Sequence, residues 1–136
     1  MNESWEGGCL CGRVRFRAAG APKWTIWCHC QSCRKHSGAP ASAFAAFDET
    51  VVEVTKGEIT KFASSPGVLR GFCLTCGSTL TCQGDRSPGE LHFHIGAFDR
   101  PERLAPVAEV YSEERLPWVC LQPFAEGAAL QSKEAR

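Results

Sequence analysis

The sequence predicts a mainly β domain, and three observations support that prediction. Apolar and polar residues alternate with a period of two in two segments of the chain. Short apolar runs, separated by Gly, Pro and Asp, fill most of the remainder. No segment sustains the 3.6-residue repeat of a long amphipathic helix. The 136 residues suffice for one domain with its own core.

The first predicted strand lies in "GRVRFRAAG", residues 12–20. Val14 and Phe16 share one face, and Arg13, Arg15 and Arg17 share the other. This alternation is typical of a strand that buries one face and exposes the other.

Further strands are predicted along the rest of the chain. In "GELHFHIGAFD" the alternation places Leu91, Phe93 and Ile95 on one face. The turn signals "SSPG", "QGD" and "SPGE" separate the segments, and the residues after Cys33 leave room for a single helical turn. The other strand-like runs are APKWTIWCHC, ASAFAAFDE, VVEVTKGEITKF, GVLRGFC and STLTCQG. We expect one zinc-binding domain over residues 1–136, with a core at about 5–124 and a frayed tail, "AEGAALQSKEAR".

Composition and charge exclude several classes of protein. Fifteen basic and fifteen acidic residues give a formal charge of zero, which argues against a nucleic-acid-binding surface. No apolar run approaches the roughly 20 residues of a membrane-spanning helix. The N-terminal "MNESWEGGCLCG" lacks the basic and apolar regions of a secretory signal, so we expect a cytoplasmic protein.

Nine cysteines are the compositional anomaly. Their number is odd and seven of them are clustered, which in a reducing compartment favours metal binding over disulfides. Cys82 and Cys120 stand apart and are predicted to be small buried apolar residues. The clustered cysteines are Cys9 and Cys11; Cys28, Cys30 and Cys33; and Cys73 and Cys76.

The segment "CLTCG" suits a turn that holds a metal. Two intervening residues let the sulfur atoms of Cys73 and Cys76 point inward, and Gly77 can adopt a positive φ. If "CLC" lies on a strand, Cys9 and Cys11 project to the same face. These four cysteines could then form a closed structural zinc site.

The segment "CHCQSC" offers three further thiolates. Strand alternation places Cys28 and Cys30 on one face and His29 on the other, so His29 should not bind the same metal ion. Cys33 can return after a turn, which leaves one coordination position vacant, as in catalytic zinc sites. Spacing alone leaves a second pairing open, in which Cys30 and Cys33 join Cys73 and Cys76.

The cysteine clusters and their surroundings resemble a known family. The matching segments are GGCLCGRVRF, CHCQSCRKHSGAP, TKGEITKFASSPGVLRGFCLTCGSTL, IGAFD and ERLPWV. In this order they resemble the glutathione-dependent formaldehyde-activating enzyme family, whose relatives include the zinc domain of centromere protein V. The resemblance runs from about Gly7 to about Trp118.

This resemblance implies a β-tent fold, with small antiparallel sheets organised around zinc, and up to two zinc ions per chain. It implies a structural zinc at Cys9, Cys11, Cys73 and Cys76 and a catalytic zinc at Cys28, Cys30 and Cys33. The implied activity is a carbon–sulfur lyase reaction in which glutathione and formaldehyde condense to S-(hydroxymethyl)glutathione.

An open three-thiolate zinc favours a fourth sulfur ligand, so the expected partners are a small thiol such as glutathione and a small carbonyl compound. Arg34 and Lys35 follow Cys33 and would offset the negative charge of the site, hold a substrate carboxylate, or be solvated. His36 is the candidate proton shuttle.

Four other residues carry open alternatives. His92 and His94 share a strand face with ligand-like spacing, although such a pair more often forms the polar side of a strand. Arg70 would either pair with the zinc–thiolate cluster or lie on the surface. Trp118 is predicted to anchor the core or to form a pocket wall.

Two functions from different classes therefore remain. The first is an enzyme that acts on thiol adducts at the open zinc. The second is a non-enzymatic zinc module that binds a protein partner. The vacant coordination position favours the enzyme.

Overall fold

The computed structural model describes residues 3–121. Within that range the chain forms one α-helix, α1 (Gln31–Ser37), ten β-strands and four short 3-10 turns. The strands are β1 (Ser4–Gly8), β2 (Arg15–Ala19), β3 (Trp24–Cys28), β4 (Ser42–Asp48), β5 (Val52–Lys56), β6 (Thr60–Ser65), β7 (Val68–Phe72), β8 (Thr79–Gly84), β9 (Glu90–His94) and β10 (Glu109–Val110).

The strands form two sheets. The smaller sheet has the order β1-β2-β5, and the larger has the order β10-β3-β4-β9-β8-β7-β6. Every pairing is antiparallel except that of the two-residue β10 with β3, which is parallel. The predicted mainly β architecture of antiparallel sheets is therefore confirmed, and each predicted strand-like run contains at least one strand.

The main core lies between the two sheets. Phe16 of β2 and Phe93 of β9 are 1% and 0% exposed, and their rings stack with centroids 4.2 Å apart. Val14, Leu91 and Ile95 are also buried in this core. The period-two alternation thus identified the buried face of both segments correctly.

The helix α1 begins earlier than expected. Cys30 occupies the N-cap position, where its Sγ accepts a hydrogen bond from the Cys33 backbone N–H at 3.3 Å. Gly38 closes the helix in the left-handed conformation, with φ of 75°. The helix therefore includes Cys33 in its first turn, instead of following it.

Two expectations about single residues were wrong. Trp118 is 70% exposed and belongs neither to the core nor to the cavity described below. Cys120 is exposed, contrary to the expectation of a buried residue, whereas Cys82 is partly buried and packs against the cluster of Cys28, Cys33 and Phe44. The tail predicted to fray, and the last residues of the expected core, lie outside the described residues.

No helix in the described range is long and apolar enough to cross a membrane.

Candidate metal centres and the adjoining cavity

The structure brings four of the clustered cysteines together. The sulfur atoms of Cys9, Cys11, Cys73 and Cys76 all lie within 4.8 Å of one another. The Cys9–Cys11 and Cys11–Cys73 sulfur separations are 3.6 and 3.8 Å. A tetrahedral zinc with Zn–S bonds of about 2.3 Å requires sulfur atoms about 3.8 Å apart. The four thiols therefore fit a closed zinc site.

Cys9 is positioned by a turn that follows β1. The Cys9 backbone N–H donates to the Val14 carbonyl oxygen at 3.1 Å, and the Val14 N–H donates to Cys9 Sγ at 3.2 Å. Cys11 lies within this turn and not on a strand, so the strand geometry assumed for "CLC" was wrong. The turn nevertheless brings both sulfur atoms to the same site.

Cys73 and Cys76 are positioned by the turn between β7 and β8. Gly77 has a φ of 77°, as predicted, and its N–H donates to the Cys73 carbonyl oxygen at 2.8 Å. The Cys76 N–H points at Cys73 Sγ over 3.5 Å. Hydrogen bonding, first from the Ser78 side chain and then from its backbone, lowers the pKa of Cys76 to about 5. The turn thus favours the thiolate form of Cys76.

The second cluster contains Cys28, Cys30 and Cys33, whose sulfur atoms also lie within 4.8 Å of one another. Cys28 ends β3, and Cys30 and Cys33 belong to the start of α1. The two clusters are separate groups, which excludes the alternative pairing of Cys30 and Cys33 with the cysteines of the β7–β8 turn.

The thiols of the second cluster share their charge unequally. Hydrogen bonds from the Cys28 and Cys33 thiols lower the pKa of Cys30 to about 2. Three effects raise the pKa of Cys28: its hydrogen bond with Cys30, its hydrogen bond with Cys33, and burial. Negative charge is therefore concentrated on Cys30, a soft anionic donor that suits zinc.

His29 points away from this cluster, as the alternation predicted. It is 1% exposed, and its Nε2 lies 2.5 Å from Glu109 Oε1. Glu109 pairs with Trp27 in the parallel β10–β3 ladder. His29 therefore links β10 to β3 and contributes no ligand.

Arg70 lies against the second cluster. It is 6% exposed, its Nη1 donates to Cys33 Sγ at 3.5 Å, and its Nε donates to Ser64 Oγ at 3.0 Å. Burial opposes the charge on Arg70, but the Cys33 hydrogen bond and nearby thiolates raise its pKa above the ordinary value. Of the two alternatives for Arg70, pairing with a thiolate cluster is the one observed.

The second cluster opens onto a cavity of about 740 Å³. Cys28, Cys30 and Cys33 line it together with apolar side chains of the larger sheet. The clusters do not differ in burial, because Cys28 and Cys33 are 4% and 5% exposed and Cys73 and Cys9 are 1% and 8% exposed. They differ in the number of thiols, which is four in the first cluster and three in the second. Four thiols can complete the coordination of a structural metal, whereas three thiols that line a cavity leave room for a small molecule.

The cavity lining does not include Arg34, Lys35 or His36, the three residues that directly follow Cys33. Lys35 is exposed and Arg34 is partly buried on α1. His36 faces the His94 ring with centroids 5.9 Å apart, and burial lowers the pKa of His36. The roles predicted for these three residues at the cavity are therefore not supported by their positions.

Two histidines of β9 lie on the cavity side of the sheet. His92 lines the cavity, and its Nε2 lies 2.9 Å from Glu90 Oε1. His94 is 8% exposed and packs on Phe44 at 4.3 Å, and burial lowers its pKa to about 3. In the described residues they belong to no group of three potential metal ligands. Period-two spacing placed both on one face but gave no sign that this face adjoins the thiols.

Comparisons with known proteins agree with this architecture. A Schizosaccharomyces pombe protein named an uncharacterized lyase is 34% identical over 76 residues, which cover 56% of this chain and 55% of that protein. A Halomonas elongata protein provisionally named a glutathione-dependent formaldehyde-activating enzyme is 31% identical over 128 residues, covering 84% of this chain and 78% of that protein. The chain thus spans little more than half of the first relative.

A crystal structure of a Rhodobacter sphaeroides protein has the same fold, with a TM-score of 0.63 and 21% identity. The match covers 77% of this chain and 99% of that one. The sequence model of the family described as "glutathione-dependent formaldehyde-activating enzyme" matches residues 4–114, a range that contains both cysteine clusters and all ten strands of the described residues. The chain therefore belongs to the glutathione-dependent formaldehyde-activating enzyme family.

Proposed function

We propose that this protein is a lyase-type enzyme that forms and cleaves the carbon–sulfur bond of thiol adducts, with zinc held by Cys28, Cys30 and Cys33. The observation that carries the proposal is the exposure of this three-thiol cluster to a cavity of about 740 Å³. The family and the lyase name of one relative support the reaction class. All nine cysteines are free, which fits the reducing cytoplasm.

The donor set determines the chemistry. When bound there, zinc would supply a thiophilic Lewis acid that lowers the pKa of an incoming thiol. Cys9, Cys11, Cys73 and Cys76 would hold a second, structural zinc. A cavity of about 740 Å³ is large enough to hold a small thiol beside a small carbonyl compound, and this proximity would itself be a large part of such catalysis.

Arg70 has a defined role in this proposal. Three thiolates outweigh the charge of a divalent ion, and a fourth thiolate adds one more negative charge. The buried guanidinium of Arg70, in contact with Cys33, offsets that excess. Arg70 thereby takes over the compensating role that the sequence suggested for Arg34 and Lys35.

The condensation is redox-neutral. The thiol sulfur attacks the carbonyl carbon, the new C–S bond forms, and the C=O π pair moves to oxygen, which takes up the proton lost by the thiol. The reverse reaction returns the proton to sulfur and releases the carbonyl compound. We propose His92, on the cavity wall and fixed by Glu90, as the proton carrier in place of His36.

Exchange NMR with ¹³C-formaldehyde and glutathione tests this proposal. Zinc-loaded protein should accelerate the exchange between free and glutathione-bound formaldehyde beyond the spontaneous rate, and Cys30→Ser should abolish the acceleration. If zinc-loaded protein accelerates the exchange with neither glutathione nor any other small thiol, the lyase proposal is wrong.

One observation favours the alternative of a protein-binding zinc module. Leu10 and Leu74 are 89% and 76% exposed, and each lies between two cysteines of the four-cysteine cluster. Both side chains project from turns that share this cluster, and exposed apolar surface gathered in one patch is typical of a contact with another protein. Loss of a partner in Leu10→Ser and Leu74→Ser, with no thiol chemistry in the wild type, would favour this second function.

A further inference from the structure

The cavity beside the three-thiol cluster has an apolar wall. Trp24 and Ile26 of β3 alternate with Cys28 onto the same face, and Phe44 lies opposite Ile26 in the β3–β4 register. Phe44 is 3% exposed, whereas Trp24 and Ile26 are only partly buried and line the cavity. The protein therefore leaves apolar surface uncovered next to the thiols.

The opposite wall adds little charge that a ligand could use. Val68 and Arg70 of β7 line it, but the Arg70 guanidinium is already bonded to Cys33 and to Ser64. The Nε and Nη1 groups of Arg70 are thus engaged, and a carboxylate at its remaining N–H groups would share the guanidinium charge with the thiolate. The one buried cation of the described cavity lining thus serves the cluster.

Asp85, Arg86 and His92 also line the cavity and can carry a charge. Asp85 and Arg86 are exposed neighbours of opposite sign, and His92 is already paired with Glu90. Glutathione carries two carboxylates and an ammonium group. Within the part of the chain that the structure describes, Arg86 is the lining residue that could meet one of these carboxylates, and it is exposed and directly follows Asp85, so the second carboxylate has no lysine or arginine of its own.

We propose that the preferred thiol of this enzyme carries an uncharged apolar substituent, aromatic or branched aliphatic, which packs against Trp24, Ile26 and Phe44. This inference rests on the proposed function, because it names the substrate class of the same site. Burial of such a group is favourable in proportion to its apolar area, whereas burial of an unpaired carboxylate is strongly unfavourable.

The reaction with this substrate is the same redox-neutral addition. The sulfur of R–SH forms a bond to the carbonyl carbon, the C=O π pair moves to oxygen, and the thiol proton ends on that oxygen. The product is the hemithioacetal R–S–CH(OH)–R′. The reverse step regenerates the thiol and the carbonyl compound without any other reactant.

Titration calorimetry of the zinc-loaded protein tests the inference. Three thiols isolate the effect of charge: benzyl mercaptan, 4-(mercaptomethyl)benzoate, which has the same ring with one carboxylate, and glutathione. We expect benzyl mercaptan to bind with a dissociation constant at least about tenfold below those of the other two, as burial of one aromatic group implies.

Substitutions in the apolar wall test whether that wall causes the preference for benzyl mercaptan. Trp24→Ala should weaken benzyl mercaptan binding about tenfold and leave glutathione binding unchanged within about twofold. Ile26→Ala provides a second, milder variant if Trp24→Ala does not fold. Trp118→Ala is the matched control, because Trp118 is 70% exposed and does not line the cavity. It should change neither affinity.

The outcomes separate this inference from the proposed function. Equal or tighter binding of glutathione overturns the apolar substrate class and leaves the thiol chemistry in place. Binding of none of the three thiols overturns the proposed function and this inference together. A preference for benzyl mercaptan that survives both wall substitutions also contradicts the inference, because the apolar wall would then not be its cause.

Discussion

Arg70 Nη1 donates a hydrogen bond to Cys33 Sγ over 3.5 Å, although 37 positions separate the two residues in the chain. The contact joins β7, at the far side of the larger sheet, to the first turn of α1. It places a buried positive charge on a cluster of thiols that would carry negative charge with or without a divalent metal. Arg70 is therefore the positioning residue on which the electrostatics of the second cluster depends.

Replacement of Arg70 tests this role. Arg70→Gln should weaken zinc binding at the three-cysteine cluster by about 10- to 100-fold, because a charge-assisted hydrogen bond contributes roughly 1.5–3 kcal/mol. Competition with a chromophoric chelator measures the affinity. Arg70→Lys should recover part of the loss, since it retains the charge.

Lys35→Gln is the control for Arg70→Gln, because it removes a positive charge from the exposed side of α1. It should leave the zinc affinity unchanged within about twofold. Equal losses in the two variants would show that only the net charge of the protein matters, which would contradict a specific role for Arg70.

The two clusters should differ in their effect on folding. Cys73→Ser should prevent stable folding, because Cys73 is 1% exposed in the main core and structural zinc contributes on the order of 10 kcal/mol. Cys30→Ser should retain the fold and lower the zinc content from two ions to one. Circular dichroism and elemental analysis provide the two measurements. Equally low melting temperatures would contradict the division of roles.

The cysteine pattern made much of the site predictable. Grouping by spacing identified all seven clustered residues, and strand alternation placed His29 away from the thiols. The pairing of the clusters was not fixed by spacing, because either cysteine pair can complete a ligand set with Cys73 and Cys76. Only the three-dimensional path of the chain after β1 brings Cys9 and Cys11 to the β7–β8 turn.

Residues whose surroundings depend on distant strands were predicted poorly. Trp118 was expected in the core or on a cavity wall, yet it is 70% exposed, since an apolar side chain does not specify what covers it. Arg34 and Lys35 adjoin Cys33 in sequence but do not line the cavity, because successive residues of a helix point in different directions. The sequence left open whether Arg70 is buried or exposed, because only the assembled sheet determines which side chains are covered.

The buried pair of His29 and Glu109 should stabilise the fold without affecting the metal. Their side chains are 0% and 3% exposed, so removal of one partner leaves a buried polar group unsatisfied. His29→Ala should lower the free energy of unfolding by about 2–4 kcal/mol in urea denaturation. The zinc content should remain at two per chain. Loss of one zinc would instead identify His29 as a ligand.

Stability should depend on pH through His94. Burial lowers the His94 pKa from 6.5 to about 3, so between these values the unfolded chain binds a proton that the folded chain excludes. The stability from this residue is complete above pH 6.5 and is lost as the pH falls toward 3, at up to about 1.4 kcal/mol per pH unit.

His94→Leu tests that dependence with a side chain of similar size. In excess zinc, both proteins share any pH dependence of the thiolates. The wild type should therefore lose stability more steeply than the variant when the pH is lowered from 6.5 to 5. Parallel curves from urea denaturation would contradict the assignment to His94.

The most direct test of the account is the cobalt spectrum of the three-cysteine cluster in the presence of a thiol. The account predicts that cobalt in both clusters, titrated with benzyl mercaptan or glutathione, gains sulfur-to-cobalt charge-transfer absorption in the wild type and not in Cys30→Ser. The opposite result is a wild-type spectrum that already shows two complete four-sulfur sites and that does not change when a thiol is added. That result would contradict the account, because the cluster formed by Cys28, Cys30 and Cys33 would then have no coordination position for a substrate.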